Sequence, residues 1–214
     1  RTVAALAESL VFVETRHAMI VQIGTNGCVF GYNYAQRNYS DVAGEGIWDK
    51  TYISVHGHYA YMNLFEGNIV GYIGISDYWG PSGPGNTIFR NRCMGTDKHA
   101  DFGPYRGIAV DDHSHYQNIV ANELIGDQTA ITFDGHTDSS EGTSTGVIVH
   151  GNNIHGSIQW DASYSEHYLP ASFYLVSQPA FLEAVSWPTM GPELPLGTGT
   201  IPAKIRYDAG RYVE

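Results

Sequence analysis

Apolar and polar residues alternate over short segments of this chain, and one such pattern occurs three times. Residues 53–58, 108–113 and 131–136 each begin with an apolar–x–apolar triplet and end in a polar residue, a small or acidic residue and a histidine. Weaker copies of the pattern begin at Val11 and Ile73. Because strand side chains alternate between two faces, each triplet predicts a short β-strand with one buried face.

A second series of short apolar segments alternates with the first along the chain. Its members begin at Val29, Ile69, Ile88, Ile119 and Ile148. Recurring strands with connections of variable length are typical of a solenoid, in which strands stack about 4.8 Å apart in successive coils. A β-sandwich would need regular hairpin turns, and Asn26-Gly27 is the one such signal. We therefore predict an all-β, single-stranded, right-handed parallel β-helix of roughly five coils.

The second series also predicts the interior of the solenoid. Its five first residues are expected to form one inward column. Asn91 and Asn122 are expected to stack at a tight corner, where amide side chains can bond to each other and to the backbone. Cys93 is expected to be a small core residue.

The last part of the chain, residues 169–214, differs in composition because prolines and aromatic residues are dense there. Proline disfavours helix and favours extended backbone. We predict an extended tail that packs on the solenoid of residues 1–168 within one domain, with at most a short helix near residues 180–185. Such a tail could also cover the open end of the stack, where unpaired strand edges invite aggregation.

Composition and charge narrow the classes of function. The 214 residues include 22 acidic and 11 basic side chains, for a net charge of −11, and charged residues make up only 15%. This balance argues against nucleic acid as a partner, because phosphates need a basic surface. The sequence contains no apolar run long enough to span a membrane and no signal peptide, and it begins abruptly at Arg1-Thr2-Val3, so we expect a mature form or a fragment of a longer parent chain. Cys28 and Cys93 do not form a disulfide framework, and their redox state is left open.

The phrases Gly-Ile-x-Val-Asp at 107–111 and Asn-Ile-Val-x-Asn at 118–122 resemble the right-handed parallel β-helix superfamily typified by pectate lyases. The tail resembles that of bacterial secreted β-helix proteins at residues 169–175, 178–181, 187–188, 191–192 and 202–206. The resemblance covers residues 11–206 and implies a secreted, extracellular or cell-surface protein. The superfamily includes polysaccharide lyases, glycoside hydrolases, uronate epimerases and non-catalytic adhesins. His56-Gly57-His58 matches only part of a polygalacturonase motif, so no catalytic residue is carried over.

Stacking the first series places its polar residues in columns on one face of the predicted solenoid. The first column contains Glu14, His56, Ser76, Asp111 and Asp134, and the next two contain Asp77, Asp112, His58, Tyr78, His113 and His136. Carboxylates on adjacent coils would lie about 5 Å apart, as in retaining glycosidases, and diagonal pairs would approach the inverting separation. The candidate catalytic residues are Asp111, Asp112, His113, Asp134 and His58, with His113 as the proton carrier.

Other residues of the same connections are candidates for binding. Asp77, Asp111 and Asp112 are the candidate ligands of Ca²⁺, which prefers carboxylate oxygens and could neutralise a uronate. Candidate substrate-binding residues combine aromatic rings, which stack on sugars, with basic groups: Tyr78, Trp79, Tyr116, Arg106 and His136. Polar ladders that only cap turns would account for the same histidines and aspartates.

Two functions remain open at this point. The first is a secreted carbohydrate-active protein that binds or cleaves a polysaccharide, as a lyase or a glycoside hydrolase. The alternative is a non-catalytic, self-assembling β-helix of an extracellular fibre or cell surface. An acidic cluster in an open groove would favour the enzyme, and a covered cluster would favour the structural protein.

Overall fold

The computed structural model describes residues 2–38, 52–76, 80–95, 107–111, 113–126, 130–133 and 144–212. The chain is nearly all β, and its strands form three sheets. Sheet 1 consists of β1 (Leu6–Glu8), β4 (Val29–Gly31), β7 (Leu64–Glu66), β10 (Thr87–Phe89), β13 (Asn118–Val120) and β16 (Ile148–His150). Sheet 2 consists of β2 (Val11–Val13), β5 (Tyr34–Gln36), β8 (Ile69–Val70), β11 (Arg92–Cys93), β14 (Glu123–Leu124), β17 (Asn152–Ile154) and β18 (Ser157–Gln159). Sheet 3 consists of β3 (Met19–Val21), β6 (Ile53–His56), β9 (Ile73–Ser76), β12 (Ile108–Val110) and β15 (Ile131–Thr132).

The chain visits the three sheets in a fixed order. From β1 to β15, each strand of sheet 1 is followed by one of sheet 2 and one of sheet 3, and the chain then returns to sheet 1 beside the strand it left. The last strand of sheet 1, β16, is followed by β17 and β18, which both belong to sheet 2. We call one such passage, for example β1–β3, a circuit. Pairing between circuits is parallel, and only β17–β18 is antiparallel among the described strands. This order is compatible with a solenoid of stacked coils.

The interior is a stack of apolar side chains, and the first sequence series is largely in the predicted register. Ile53, Ile73, Ile108 and Ile131 are aligned in sheet 3. The first three are 0% exposed, as are Val55, Ile75 and Val110 one step along the same strands. Burying such side chains contributes about 1.5–3 kcal/mol each. Cys93 is also a buried, free thiol of this core, as predicted, and Cys28 is buried and free as well.

Two parts of the predicted register are wrong. Val11 begins a strand of sheet 2, and the member of sheet 3 in that circuit is Met19–Val21, so Glu14 does not belong to the polar column. In the second series, Ile88 and Ile119 are aligned, but Ile69 lies in sheet 2. Val29 and Ile148 are one residue out of register, because Phe30 and Val149 occupy the position of Ile88 and Ile119. Strand alternation alone does not distinguish three sheets, because each of them shows the same period of two.

The corner between sheets 1 and 2, which we call the first corner, carries an uninterrupted ladder of buried asparagines. It consists of Asn33, Asn68, Asn91, Asn122 and Asn152. In each step the backbone N–H of one asparagine donates to the Oδ1 of the next, at 2.9 Å. Each Nδ2 also donates to a backbone carbonyl, for example Asn91 to Phe65 at 2.9 Å. The predicted stacking of Asn91 and Asn122 is confirmed, and the ladder is longer than predicted.

The corner between sheets 3 and 1, which we call the second corner, has the same construction. Asn63, Asn86 and Gln117 are buried and linked by their amides, with Asn63 Nδ2 donating to Asn86 Oδ1 at 3.0 Å. At both corners the residue before the amide has a positive φ, such as Arg90 at 53° and Tyr116 at 57°. The longer connections all lie on either side of the sheet 3 strands, because sheet 1 joins sheet 2 through one or two residues.

The tail covers the outer faces of sheets 1 and 2. Its apolar residues, among them Leu182, Met190 and Ile201, form a second buried cluster with Tyr34 and Ile69. The predicted short helix is a 3₁₀ turn at Ala180–Leu182, whereas helix α1 (Pro202–Asp208) was not predicted. Pro202 stands in the first turn of α1, where proline is tolerated because its missing N–H would have no partner there. In the described part of the chain, no helix is long and apolar enough to span a membrane.

Candidate functional site

The structure describes four of the predicted site residues. They are Asp111, His113, His58 and Tyr116, and all of them lie in the connections from sheet 3 to sheet 1. The other seven lie outside the described residues: Asp77, Tyr78, Trp79, Arg106, Asp112, Asp134 and His136. Their predicted roles remain predictions.

Asp111 is covered. It follows β12, is 3% exposed, and its backbone N–H donates to the Ile75 carbonyl at 2.7 Å. Its own backbone carbonyl accepts a hydrogen bond from the Ser144 hydroxyl at 3.4 Å. A carboxylate in this position is shielded from a polymeric substrate, which needs an open groove. The position of Asp111 therefore resembles that of a turn residue within the stack more than that of a surface acid or base.

By contrast, a group of side chains at the second corner is exposed, and we call it the corner surface. It consists of His58, Tyr59, Met62, His113 and Tyr116. Tyr59, Met62 and Tyr116 are 58%, 65% and 63% exposed. These large side chains gain little from burial, so they are not there to fill the core.

The backbone places the corner surface through bonds between circuits. Gly27, Met62, Gly85, Tyr116 and Gly146 occupy equivalent positions with positive φ in successive circuits. Met62 N–H donates to Pro84 O at 3.0 Å, and Gly85 N–H donates to Tyr116 O at 2.8 Å. Met62 and Tyr116 are thus two circuits apart, about 10 Å at ~4.8 Å per strand. Gly85 lies between them, and a Cβ added there would lie 3.3 Å from Met62 Cγ, so the Met62 side chain packs over this glycine.

Tyr116 is held on one side and open on the other. A Cβ added at Gly146 would collide with its ring, so the ring covers that glycine. Its ring centroid lies 6.1 Å from that of His115, whose ring is 5.8 Å from His113. His115 Nδ1 accepts the Thr145 N–H at 3.0 Å, which fixes the imidazole. One face of Tyr116 therefore remains available to a flat ligand beside two imidazoles.

Met62 and His115 were not singled out by the sequence as site residues. Both follow from the register, since Met62 precedes the ladder residue Asn63 and His115 stands two residues before Gln117. A prediction of the second corner ladder would have identified them.

Two described acids with shifted pKa values lie elsewhere, at the contact between the tail and the sheets. Burial raises the pKa of Glu66, whose Oε2 accepts Phe173 N–H at 2.8 Å and whose Oε1 accepts the Tyr32 hydroxyl at 3.1 Å. Partial burial alone would raise the pKa of Glu193, but its hydrogen bonds and ion pair with Arg90 hold the pKa below the ordinary value. These groups bind the tail to the sheets, and Tyr32 is only 1% exposed, so they form structural contacts.

A metal site is not apparent among the described residues. They contain no group of three or more histidine, cysteine, aspartate or glutamate side chains that could hold a metal ion. Of the predicted Ca²⁺ ligands, only Asp111 is described, and it is buried. The calcium site thus remains a prediction that rests on Asp77 and Asp112.

No protein-family model matches the chain, and no curated protein or solved structure is significantly similar to it. Its function has to be inferred from the residues themselves.

Proposed function

We propose that this chain is a secreted, right-handed parallel β-helix of the pectate-lyase-like type that binds a polysaccharide at the corner surface. The observation that carries the proposal is the exposure of Tyr59 and Tyr116, at 58% and 63%, on a rigid hydrogen-bonded corner. Aromatic rings stack on the apolar faces of sugar rings, and rings held by a regular scaffold lose little entropy on binding.

The chemistry of the surface favours a neutral glycan. The net charge of −11 disfavours a polyanion unless cations bridge the two. Imidazoles such as His113 and His115 can donate and accept hydrogen bonds to sugar hydroxyls. The repeat of the circuits along the stack matches a linear polymer better than a compact small molecule.

Binding is tested by replacing the rings. Tyr59→Ala and Tyr116→Ala, measured by affinity electrophoresis or calorimetry against neutral and uronic-acid polysaccharides, are each expected to weaken binding about tenfold. Tyr168→Ala is the matched control, because Tyr168 is 79% exposed and lies in the segment after β18, outside the corner surface. Unchanged affinity in both corner variants, or an equal loss in the control, would contradict the proposal.

A catalytic function is the second candidate, and Asp111 weighs against it. Asp111 is buried, and a covered acid at this position favours a non-catalytic protein. Cleavage would depend on Asp112, Asp134 and the calcium ligand Asp77. The test is incubation with polysaccharides in calcium or chelator, with detection of unsaturated products and new reducing ends. Cleavage that Asp111→Asn/Asp112→Asn abolishes would establish the enzyme, and calcium dependence would distinguish a lyase from a hydrolase.

A further inference from the structure

His150 is a buried titratable residue that takes no part in the corner surface. It ends β16, is 5% exposed, and both nitrogens of its ring contact backbone groups. Nδ1 accepts the Asp161 N–H at 3.2 Å, and Nε2 lies 3.1 Å from the Glu166 carbonyl oxygen. Because an amide N–H only donates and a carbonyl oxygen only accepts, Nε2 carries the proton and Nδ1 carries none. These contacts therefore require the neutral imidazole in one tautomer.

Both contacts come from the segment between β18 and the tail, residues 160–168, which we call the covering segment. The Trp160 and His150 rings meet edge to face, with centroids 4.8 Å apart. Trp160 also stacks on His167 at 4.1 Å, and a Cβ added at Gly151 would lie 2.8 Å from the Trp160 ring. The covering segment thus closes over His150 and over the glycine that follows it.

The two residues whose backbone contacts His150 are also acids, and each carboxylate accepts a hydrogen bond within the covering segment. The Asp161 carboxylate accepts the Ser163 N–H at 2.8 Å, and the Glu166 carboxylate accepts the Tyr168 N–H at 2.8 Å. Such bonds to the backbone two residues ahead are local turns. Because both ring nitrogens already have backbone partners, neither carboxylate can bind the ring while the covering segment stays closed.

The other polar groups around His150 do not favour a positive charge on its ring. The His167 centroid lies 6.0 Å away, and this second imidazole gains its proton in the same pH range, so the two cations would repel each other. Tyr164 meets His150 edge to face at 5.5 Å with an uncharged phenol ring. In sheet 1 its neighbour is the apolar Val120, and the guanidinium of Arg90 in the following strand connection is a further cation.

We propose that the covering segment is an acid-sensitive latch, which stays closed while His150 is neutral and opens when His150 gains a proton. A proton on Nδ1 would face the Asp161 N–H, so that hydrogen bond must break, whereas the bond from Nε2 to Glu166 could remain. A buried imidazolium without an acceptor is unfavourable. Imidazole gains its proton between pH 5 and 8. Because the closed segment binds only the neutral ring, a falling pH favours the open segment.

The opening is limited on both sides by contacts that do not titrate in this range. Before the covering segment, β18 pairs with β17 through backbone bonds. After it, the Arg90 guanidinium donates to the carbonyls of Leu169 and Pro170 at 3.2 and 2.9 Å. Arginine stays charged throughout. Acid should therefore release residues 160–168 and expose Trp160, while β18 and the tail remain attached.

The tautomer is the first test. Nitrogen-15 NMR of the full chain with labelled histidine, recorded at the upper end of the range from pH 5 to 8, is expected to show His150 with a protonated Nε2 and an unprotonated Nδ1. A proton on Nδ1 under these conditions would overturn the proposal, because the Asp161 N–H would then have no acceptor in the closed segment.

Hydrogen exchange measures the opening itself. Between pH 8 and 5, after correction for the intrinsic pH dependence of exchange, the amides of residues 160–168 are expected to lose protection about tenfold or more, while those of β17 and β18 keep theirs. His150→Asn retains an oxygen acceptor that cannot gain a proton, so it should abolish this pH dependence. The readout is the pH dependence and not the absolute protection, because asparagine also removes ring contacts.

His155→Asn is the matched control. His155 is exposed in the turn between β17 and β18 and has a φ of 51°, which asparagine tolerates. This variant is expected to open with pH as the unmodified chain does. Protection of residues 160–168 that is constant with pH in the unmodified chain, a pH dependence that persists in His150→Asn, or an equal loss of protection in β16, β17 and β18 would each overturn the proposal.

Discussion

The first and second corners share one construction and differ in what covers them. In both, a residue with positive φ precedes a buried amide, and an aromatic ring covers a glycine of the next circuit: Tyr32 covers Gly67, and Tyr116 covers Gly146. Tyr32 is 1% exposed beneath the tail, whereas Tyr116 is 63% exposed. The fold needs the corner but does not need an open aromatic ring on it. An aromatic side chain that contributes to stability at one corner is available for binding at the other.

The largest expected effect comes from uncoupling the tail from the first corner. The Arg90 guanidinium donates to Glu193 at 2.7 and 2.8 Å and to the carbonyls of Leu169, Pro170 and Met190 at 3.2, 2.9 and 2.7 Å. Its side chain is 2% exposed. Arg90→Ala leaves these acceptors unpaired and is expected to cost about 3–5 kcal/mol in the free energy of unfolding, measured with urea.

Lys204→Ala is the control for Arg90→Ala. The Lys204–Asp208 ion pair lies on the surface of α1, with 26% and 55% of the two side chains exposed. Removing it is expected to cost about 0.3–0.5 kcal/mol. A loss below about 1 kcal/mol for Arg90→Ala would mean that the hydrogen bonds and the ion pair of Arg90 contribute little to the attachment of the tail.

The next largest effect is expected when a glycine is replaced by alanine at each of the two corners. Gly67 and Gly146 have φ of 69° and 67°, so alanine at either position is strained by about 1–2 kcal/mol. A Cβ at Gly67 would lie 2.6 Å from Tyr32, whose hydroxyl is bound by Glu66 and by Trp187 Nε1. Tyr116 can turn into solvent, so we expect Gly67→Ala to cost about 1–3 kcal/mol more than Gly146→Ala.

Thermal unfolding of the two glycine variants measures this difference. Equal melting temperatures would show that Tyr32 moves away from the added methyl group as easily as Tyr116 does, so that the tail does not hold Tyr32 in place. Tyr116→Ala/Gly146→Ala is the matched double variant, in which only the backbone strain of the second corner should remain.

The amide ladders test the shared construction itself. Asn91 Oδ1 accepts the N–H and Nδ2 of Asn68, both at 2.9 Å, and Asn86 Oδ1 accepts those of Asn63 at 3.2 and 3.0 Å. Both side chains are 0% exposed. Asn91→Ala and Asn86→Ala are each expected to lower the unfolding free energy by about 1–3 kcal/mol, because each leaves two buried donors without an acceptor. If only Asn91→Ala lowered the stability, the two corners would not be equivalent in construction.

The sequence predicted part of the strands, their parallel stacking and the Asn91–Asn122 step, because these follow from local alternation and from recurring residue types. Other strands, such as β1, β3 and β7, were not predicted. The sequence also missed α1 and assigned Val11 to the wrong sheet. Which of three sheets a triplet joins depends on the length and path of each connection, which alternation does not encode.

The candidate site was less predictable than the fold. Asp111 was selected as a candidate catalytic residue and calcium ligand because it follows a strand, and whether it is open or covered was not predicted. It is 3% exposed, and its backbone carbonyl accepts a hydrogen bond from Ser144, which is distant in sequence. Met62 and His115 carry no motif of their own. They become visible only when the positive-φ column of the second corner has been aligned. Tyr116 was found because an aromatic residue in a connection is informative without any register.

The smallest expected effect is the pH dependence of the covered corner. Burial raises the pKa of Glu66 above its ordinary value of 4.5, so from pH 4.5 up to the raised pKa the folded state holds a proton that the unfolded chain has lost. The unfolding free energy therefore falls as pH rises through this window. Glu66→Gln removes the pH-dependent contribution of this carboxyl to the unfolding free energy. The stability of the variant relative to the unmodified chain is therefore expected to improve with rising pH, as measured by urea midpoints.

The contribution of Glu193 to the unfolding free energy changes with pH in the opposite direction from that of Glu66. The partial burial of Glu193 opposes ionisation, but Arg90 outweighs that effect and lowers its pKa, so its contribution is present above pH 4.5 and is lost as pH falls through the lowered pKa. Glu193→Gln should therefore differ from the unmodified chain chiefly above pH 4.5, and the gap should close in acid. If both variants gave profiles parallel to the unmodified chain, protonation of Glu66 and Glu193 would not differ between the folded and unfolded states. The tail would then be attached by hydrogen bonds whose strength does not depend on charge.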